Sequence, residues 1–197
     1  MDTFIEQIVK KKKTPVEWLA IVGVILGALI VIAAATLFMG FLSVLYPLLV
    51  IAAGYGAWWV ITNQSHEYEY CVTNGDIDID RITARRKRKR VVSVAGKKIE
   101  CVLPYGETPI NRAAYGRVVV AAPSEQETGL WYFTYHSKKN GHTLVIFQPE
   151  NRVLQALYKG LPTLVQMDTK RAMNEKGIAA PRNGGHSGYN EDDQDIE

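Results

Sequence analysis

The sequence predicts a two-helix membrane hairpin joined to a small antiparallel β domain that a helix closes. Three observations predict it. From residue 18 to residue 65 there is not one Asp, Glu, Lys, Arg or His. Beyond residue 66 the apolar residues alternate in short runs separated by turn signals. A dense basic run follows the uncharged stretch, and four lysines precede it.

The uncharged stretch is about twice what one crossing needs, since roughly 20 helical residues at 1.5 Å each span a 30 Å hydrocarbon core. It reads as two spans over 18–62. Thr14 can cap the first helix, Pro15 suits the first helical position, and Glu17 completes a capping box. Gly40, Ser43 and Pro47 place the reversal at about residues 40–46. Trp18, Trp58 and Trp59 then share one interface, and Phe38, Phe41 and Tyr46 the other. Lys10, Lys11, Lys12 and Lys13 precede the first span, the basic run follows the second, and the reversal carries no cation. This predicts a multi-pass protein of the cell membrane with both termini cytoplasmic. A cleaved signal peptide is the rival, but its apolar core would be about 7 to 15 residues.

Gly23 and Gly27 have the spacing that lets helix backbones approach closely, and Ala52 and Gly56 repeat it. Packing inside the hairpin is one reading and dimerisation or docking on another membrane protein the second. Neither span carries an ionisable residue, which argues against a transporter acting alone. Residues 1–17 form a cytoplasmic segment in which Phe4, Ile5, Ile8 and Val9 share a helical face, predicting a short interfacial helix, with a frayed terminus as the alternative.

The β domain is expected over 63–163. Residues 67–73 alternate and meet Asn74-Gly75, a hairpin signal because both positions favour positive φ. Residues 76–80 form the return strand, 91–94 a third, 98–103 a fourth and 117–122 a fifth. Residues 130–136 and 142–148 make a last hairpin around Lys139-Asn140-Gly141. Pro149-Glu150 opens a helix with Val153, Leu154, Leu157 and Tyr158 on its apolar face, closed by Gly160 and Pro162. The segment 104–115 has no assignment. Residues 164–197 turn polar and then acidic, predicting a disordered tail.

Tyr68-Glu69-Tyr70, Val72-Thr73-Asn74-Gly75, the Ile77/Ile79 strand, the basic turn, residues 91–94, Ile99 and Phe147-Gln148-Pro149-Glu150 together resemble the bacterial pleckstrin-homology-like domains attached to membrane helices. The resemblance covers about residues 66–160. With the preceding hairpin, the layout is similar to an uncharacterised family of small bacterial membrane proteins. It implies a barrel of about seven antiparallel strands with a C-terminal helix, and says little of a ligand. The first hairpin turn, which carries the phosphoinositide-binding basic residues in eukaryotic relatives, is here Asn74-Gly75 followed by aspartates, so no inositol-lipid site carries over.

The candidate contact surface is Arg85-Arg86-Lys87-Arg88-Lys89-Arg90, which must be solvated or paired. Between residues 66 and 163 there are 15 Lys and Arg against 10 Asp and Glu, a net +5. Juxtamembrane cations gain about 1 kcal/mol each near anionic headgroups, so the expected partner is the bilayer, with a protein partner or a second copy as alternatives. Nucleic acid is not expected, because an anchored domain could search little of it. Asp76, Asp78 and Asp80 have the first spacings of a calcium loop, but Arg81 stands where Gly is needed and Lys87 where Glu is. They are expected to face Lys97 or Lys98 across the hairpin. Cys71 and Cys101 read as reduced packing residues. His66, His136, His142 and His186 form no triad or metal motif, so no metal, no cofactor and no catalytic residue is expected. Trp131, Phe133 and Tyr135 read as core. The sequence predicts a non-enzymatic membrane-anchored interaction or scaffold module. A regulatory subunit docking through its hairpin, or an enzyme with an unrecognised site, are the alternatives.

Overall fold

The computed structural model describes residues 3–13, 15–37, 45–63, 65–107 and 109–181. The first element is a strand, β1 (Phe4–Lys10), where a helix was expected. Ile5, Gln7 and Val9 turn inward and Phe4, Glu6, Ile8 and Lys10 outward, the alternation of a strand. Gln7 hid that alternation in the sequence. Its amide is buried because both ends are satisfied: Nε2 donates to Gln148 O at 3.0 Å, and Oε1 accepts from Glu150 N at 2.8 Å.

Two apolar helices then intervene, α1 (Pro15–Leu37) and α2 (Tyr46–Asn63). They pack on each other. On α1 the less exposed residues, Ile21, Val24, Ala28, Ile32 and Ala35, recur at helical spacing. The proposed reversal lies mostly outside the described residues. After α2 the chain returns as β2 (His66–Thr73), which pairs antiparallel with β1 from Phe4 opposite Thr73 to Lys10 opposite Glu67. The helices are thus an insertion between the first two strands of one sheet.

β3 (Asp76–Thr83) and β4 (Lys87–Val94) complete that sheet in the order β1-β2-β3-β4. β5 (Ile99–Pro104), β6 (Arg117–Ala121), β7 (Trp131–Ser137) and β8 (Gly141–Phe147) form a second, in the order β5-β7-β8-β6. The expectation of antiparallel strands fails at one place, since β6 runs parallel to β8. The unassigned segment 104–115 is the reason. Its described residues lie on the outside of the second sheet, where Tyr105, Ile110 and Tyr115 cover Tyr132, Leu144 and Ile146, and β6 follows at the far edge. All five residues from Trp131 to Tyr135 are buried, because this sheet is covered on both faces.

Trp131, Phe133 and Tyr135 lie in the main core with Tyr70, Val72, Ile77, Ile79, Val145 and Phe147. Phe147 meets Tyr70 and Phe133 edge to face at centroid separations of 5.8 and 5.3 Å. The Tyr70 hydroxyl donates to Ala121 O and accepts from Gln148 N at 3.2 Å, joining the two sheets through one buried group. α3 (Asn151–Gly160) closes the core with Val153, Leu154 and Leu157. Its end packs backbone to backbone on the first hairpin turn, where a Cβ on Gly75 or on Gly160 would overlap the other residue's backbone.

The segment expected as a tail contains a further helix, α4 (Thr163–Glu175). Val165, Thr169, Ala172 and Met173 are buried at helical spacing, and Thr169 Oγ1 donates to Val102 O of β5 at 3.1 Å. The domain therefore includes β1 before the hairpin and α4 beyond residue 163. Residues 182–197, with the acidic cluster, lie outside the described residues.

Candidate membrane-facing surface

Among the described residues, α1 alone is long and apolar enough to cross a membrane, with a mean hydropathy of 2.8. Its 23 residues reach about 34 Å. Leu19, Val22, Leu26, Leu29, Ile30 and Leu37 leave about half or more of their surface uncovered. So large an apolar face is out of place in water. α2 is shorter, at 18 residues, and carries Tyr46, Tyr55, Trp58, Trp59 and Asn63.

Both helix ends are tied to the domain. Lys11 N donates to His66 O at 3.0 Å and Lys12 N to Pro123 O at 2.9 Å, fixing the entry to α1. Beyond α2, Ser65 N donates to Thr62 O at 3.2 Å, and Ser65 O accepts from Ala84 N at 2.9 Å. The last bond fastens the β3–β4 turn to the exit of α2. Ala84 and Arg85 have φ of 53° and 55°, the left-handed pair that a tight hairpin turn requires.

The basic run starts at this turn and continues down β4, and its residues separate by strand geometry. Arg85 Nε lies 3.5 Å from Glu67 Oε1, and Arg88 Nη1 lies 2.8 Å from Glu69 Oε2. Arg90 Nε donates to Asp80 Oδ1 at 2.6 Å, and its Nη1 to Asp78 Oδ2 at 2.7 Å. The aspartates therefore meet Arg90, where Lys97 or Lys98 was expected, and Asp76 Oδ1 accepts from Gly96 N at 3.0 Å. A bulge between Ile79 and Asp80 sets this register, passing over Val91 so that Arg90 stands opposite Asp80. Half of the cationic run is thereby neutralised within its own sheet.

Arg86, Lys87 and Lys89 have no carboxylate partner among the described residues. Arg86 lies over the Trp58 ring, 6.0 Å from its centroid, and Lys13 over Trp18 at 5.7 Å. Arg86 and Lys87 also line a cavity of about 270 Å³ with Trp59, Asn63, Thr83 and Ala84. A larger cavity of about 820 Å³ opens beneath the entry to α1, lined by Lys11, Lys12 and Lys13 but also by Glu125 and Glu127. Lys11 there pairs with Glu17 at 2.7 Å and Lys12 with Glu127 at 2.5 Å.

Glu69 is 4 % exposed, and its Oε2 has no aligned donor, being held by the charge of Arg88. Burial is the main cause raising its carboxyl above the usual carboxylate range. The Glu6 carboxyl beside it adds to the rise and Arg88 opposes it. Burial also lowers His66 and raises both thiols, Cys71 and Cys101. Neither cysteine is in a disulfide.

Of the small residues of the two helices, Gly23, Gly27 and Ala52 are exposed and Gly56 is half-buried. A Cβ added at Gly23, Gly27 or Gly56 would meet nothing within 4 Å. His136 and His142 stack edge to face at 5.0 Å, with His142 Nδ1 3.4 Å from Glu100 Oε2. Among the described residues no group of three His, Cys, Asp or Glu is placed to hold a metal ion. The sequence had not pointed to Glu67, Glu69, Trp58 and Asn63 as neighbours of the basic run. For the glutamates the signal was their alternation on β2, next in the sheet to β3.

Two antiparallel-rich sheets packed around one core and closed by a C-terminal helix fit a pleckstrin-homology-like domain. The chain belongs to the family described as Bacterial PH-like domain (DUF6106), whose model matches residues 1–167. The match takes in β1 and both apolar helices, so the family unit includes the insertion. No curated protein and no solved structure matches the chain.

Proposed function

We propose that the protein is a non-enzymatic, membrane-anchored interaction module: α1 and α2 cross the bilayer as a hairpin and hold the PH-like domain at the cytoplasmic surface. The pairing of β1 with β2 carries this reading. A chain that leaves β1 at Lys10 and re-enters the same sheet at Glu67 has to make an even number of crossings. If α1 spans, α2 is the described segment available for the return, and its 18 residues reach about 27 Å. The cations at both helix ends and the indoles of Trp18, Trp58 and Trp59 near them support the orientation.

The test is alkaline carbonate extraction of membranes holding the full chain. The chain is expected to stay with the membrane, and a variant with residues 14–64 replaced by a short Gly-Ser linker to appear in the supernatant. Release of the full chain by carbonate would exclude the hairpin anchor.

A second reading, a regulatory subunit that docks on another membrane protein, is favoured by the outward position of Gly23 and Gly27 on α1. There Gly27→Leu is expected to abolish co-purification of a crosslinked membrane partner. Unchanged recovery would remove that reading.

A further inference from the structure

The six cations of the basic run differ in what faces them. Arg85, Arg88 and Arg90 are held by Glu67, Glu69, Asp78 and Asp80. Their charge is largely cancelled at short range, and an anion approaching them meets the carboxylates as well. In the large cavity Lys11 and Lys12 are in the same position, each paired with a glutamate, and Glu125 and Glu127 share the lining with the one remaining lysine, Lys13. The small cavity at the end of α2 differs. Arg86 and Lys87 line it, and no acidic side chain is in its lining.

We infer that this cavity binds the phosphate of an anionic glycerophospholipid from the cytoplasmic leaflet, through which α2 leaves the bilayer, with Arg86 and Lys87 as its cationic ligands. The inference rests on the reading of α2 as a membrane span. The Asn63 amide adds an uncharged donor of the kind that accompanies cations around a phosphodiester, and the Thr83 hydroxyl, 3.3 Å from His66 Nδ1, is a second where the imidazole nitrogen carries the proton. Trp59 forms part of the wall and the Trp58 ring lies under the Arg86 guanidinium. These indoles are at the depth where headgroups meet acyl chains, so a lipid seated here keeps its chains beside α2. At about 270 Å³, against about 30 Å³ for a water molecule, the space holds a phosphodiester with part of its glycerol. The bond from Ala84 N to Ser65 O fixes the turn to the helix exit, so the two walls are preorganised relative to each other.

The experiment is native mass spectrometry of the full chain in nonionic detergent, titrated with phosphatidylglycerol or phosphatidylcholine. Phosphatidylglycerol is expected to bind more tightly, and the paired substitutions Arg86→Ala and Lys87→Ala to weaken it by about tenfold or more. The pair Arg86→Gln and Lys87→Gln, which keeps uncharged polar side chains there, should lose as much. Lys89→Ala, at a cation outside the cavity with no carboxylate partner among the described residues, should change binding less than about twofold. Equal binding of the two lipids overturns the inference, as do a double variant that binds like wild type and a Lys89→Ala loss as large. Glycerol 3-phosphate at millimolar concentration is expected not to displace the lipid. Displacement would assign the site to a soluble phosphate compound and overturn the lipid assignment. Carbonate extraction of the same variants reads the anchor separately, and they stay in the membrane whichever way the lipid titration falls.

Discussion

Lys10 and Glu67 stand opposite one another at the end of the β1–β2 ladder, with the whole apolar insertion between them in sequence. The strand before the hairpin is therefore part of the domain after it. A fragment of residues 66–163 lacks β1, the strand paired with β2, and α4, the helix packed on β5. It is expected to aggregate. A chain in which residues 14–64 are replaced by a short flexible linker keeps both elements and is expected to be soluble and cooperatively folded. Size-exclusion chromatography and circular dichroism of the two decide this.

Gly75 and Gly160 leave no room for a side chain, and Gly75 also has φ of +88°. Gly160→Ala is expected to cost about 3 kcal/mol, at the upper end of overpacking effects, because backbone is what must give way. Gly106→Ala, at φ +96° with open space around it, carries the backbone strain alone and should cost about 1 kcal/mol. Chemical denaturation of the linker variant gives both values, and equal costs would contradict the close approach.

Glu69 should make the domain less stable as pH rises. Its folded carboxyl titrates above the unfolded value near 4.5, so between that value and the folded one the native state holds more protons than the unfolded state. Stability from this group is complete below about 4.5 and is lost as pH rises through the folded value. Glu69→Gln should flatten that slope. Arg88→Ala should cost about 2 kcal/mol at pH 8, where it leaves a buried carboxylate alone, and less at pH 5. Arg90→Ala breaks more exposed pairs and should cost under about 1 kcal/mol.

Thr169 ties α4 to β5 through one buried hydrogen bond to Val102 O. Thr169→Val keeps the shape and leaves that carbonyl unpaired, at a cost of about 1 to 2 kcal/mol. Truncation after residue 162 uncovers Val102 as well and should abolish cooperative thermal unfolding, measured by the near-ultraviolet signal of the core aromatics.

What could be read from the sequence followed its clean periods. The uncharged stretch, the Asn74-Gly75 turn, the β7–β8 hairpin and the apolar face of α3 are each written in local spacing. β1 was hidden because Gln7 occupies an inward position that only Gln148 and Glu150 make tolerable. α4 was hidden because Thr169 is one of its buried residues and most of its other positions are polar. The parallel pairing of β6 depends on the path of residues 105–116, which no short-range pattern encodes. The basic run was visible, but its division was not. Which cations are neutralised depends on a bulge in β4 and on glutamates two strands away, and these are facts of register.

The hairpin anchor is tested most directly by labelling intact cells with a membrane-impermeant maleimide. The background is Cys71→Ser with Cys101→Ser, and the single probes are Tyr46→Cys at the start of α2 and Arg152→Cys on α3. Tyr46→Cys is expected to be labelled from outside, and Arg152→Cys only after the cells are broken. Labelling of both from the same side would contradict the hairpin anchor.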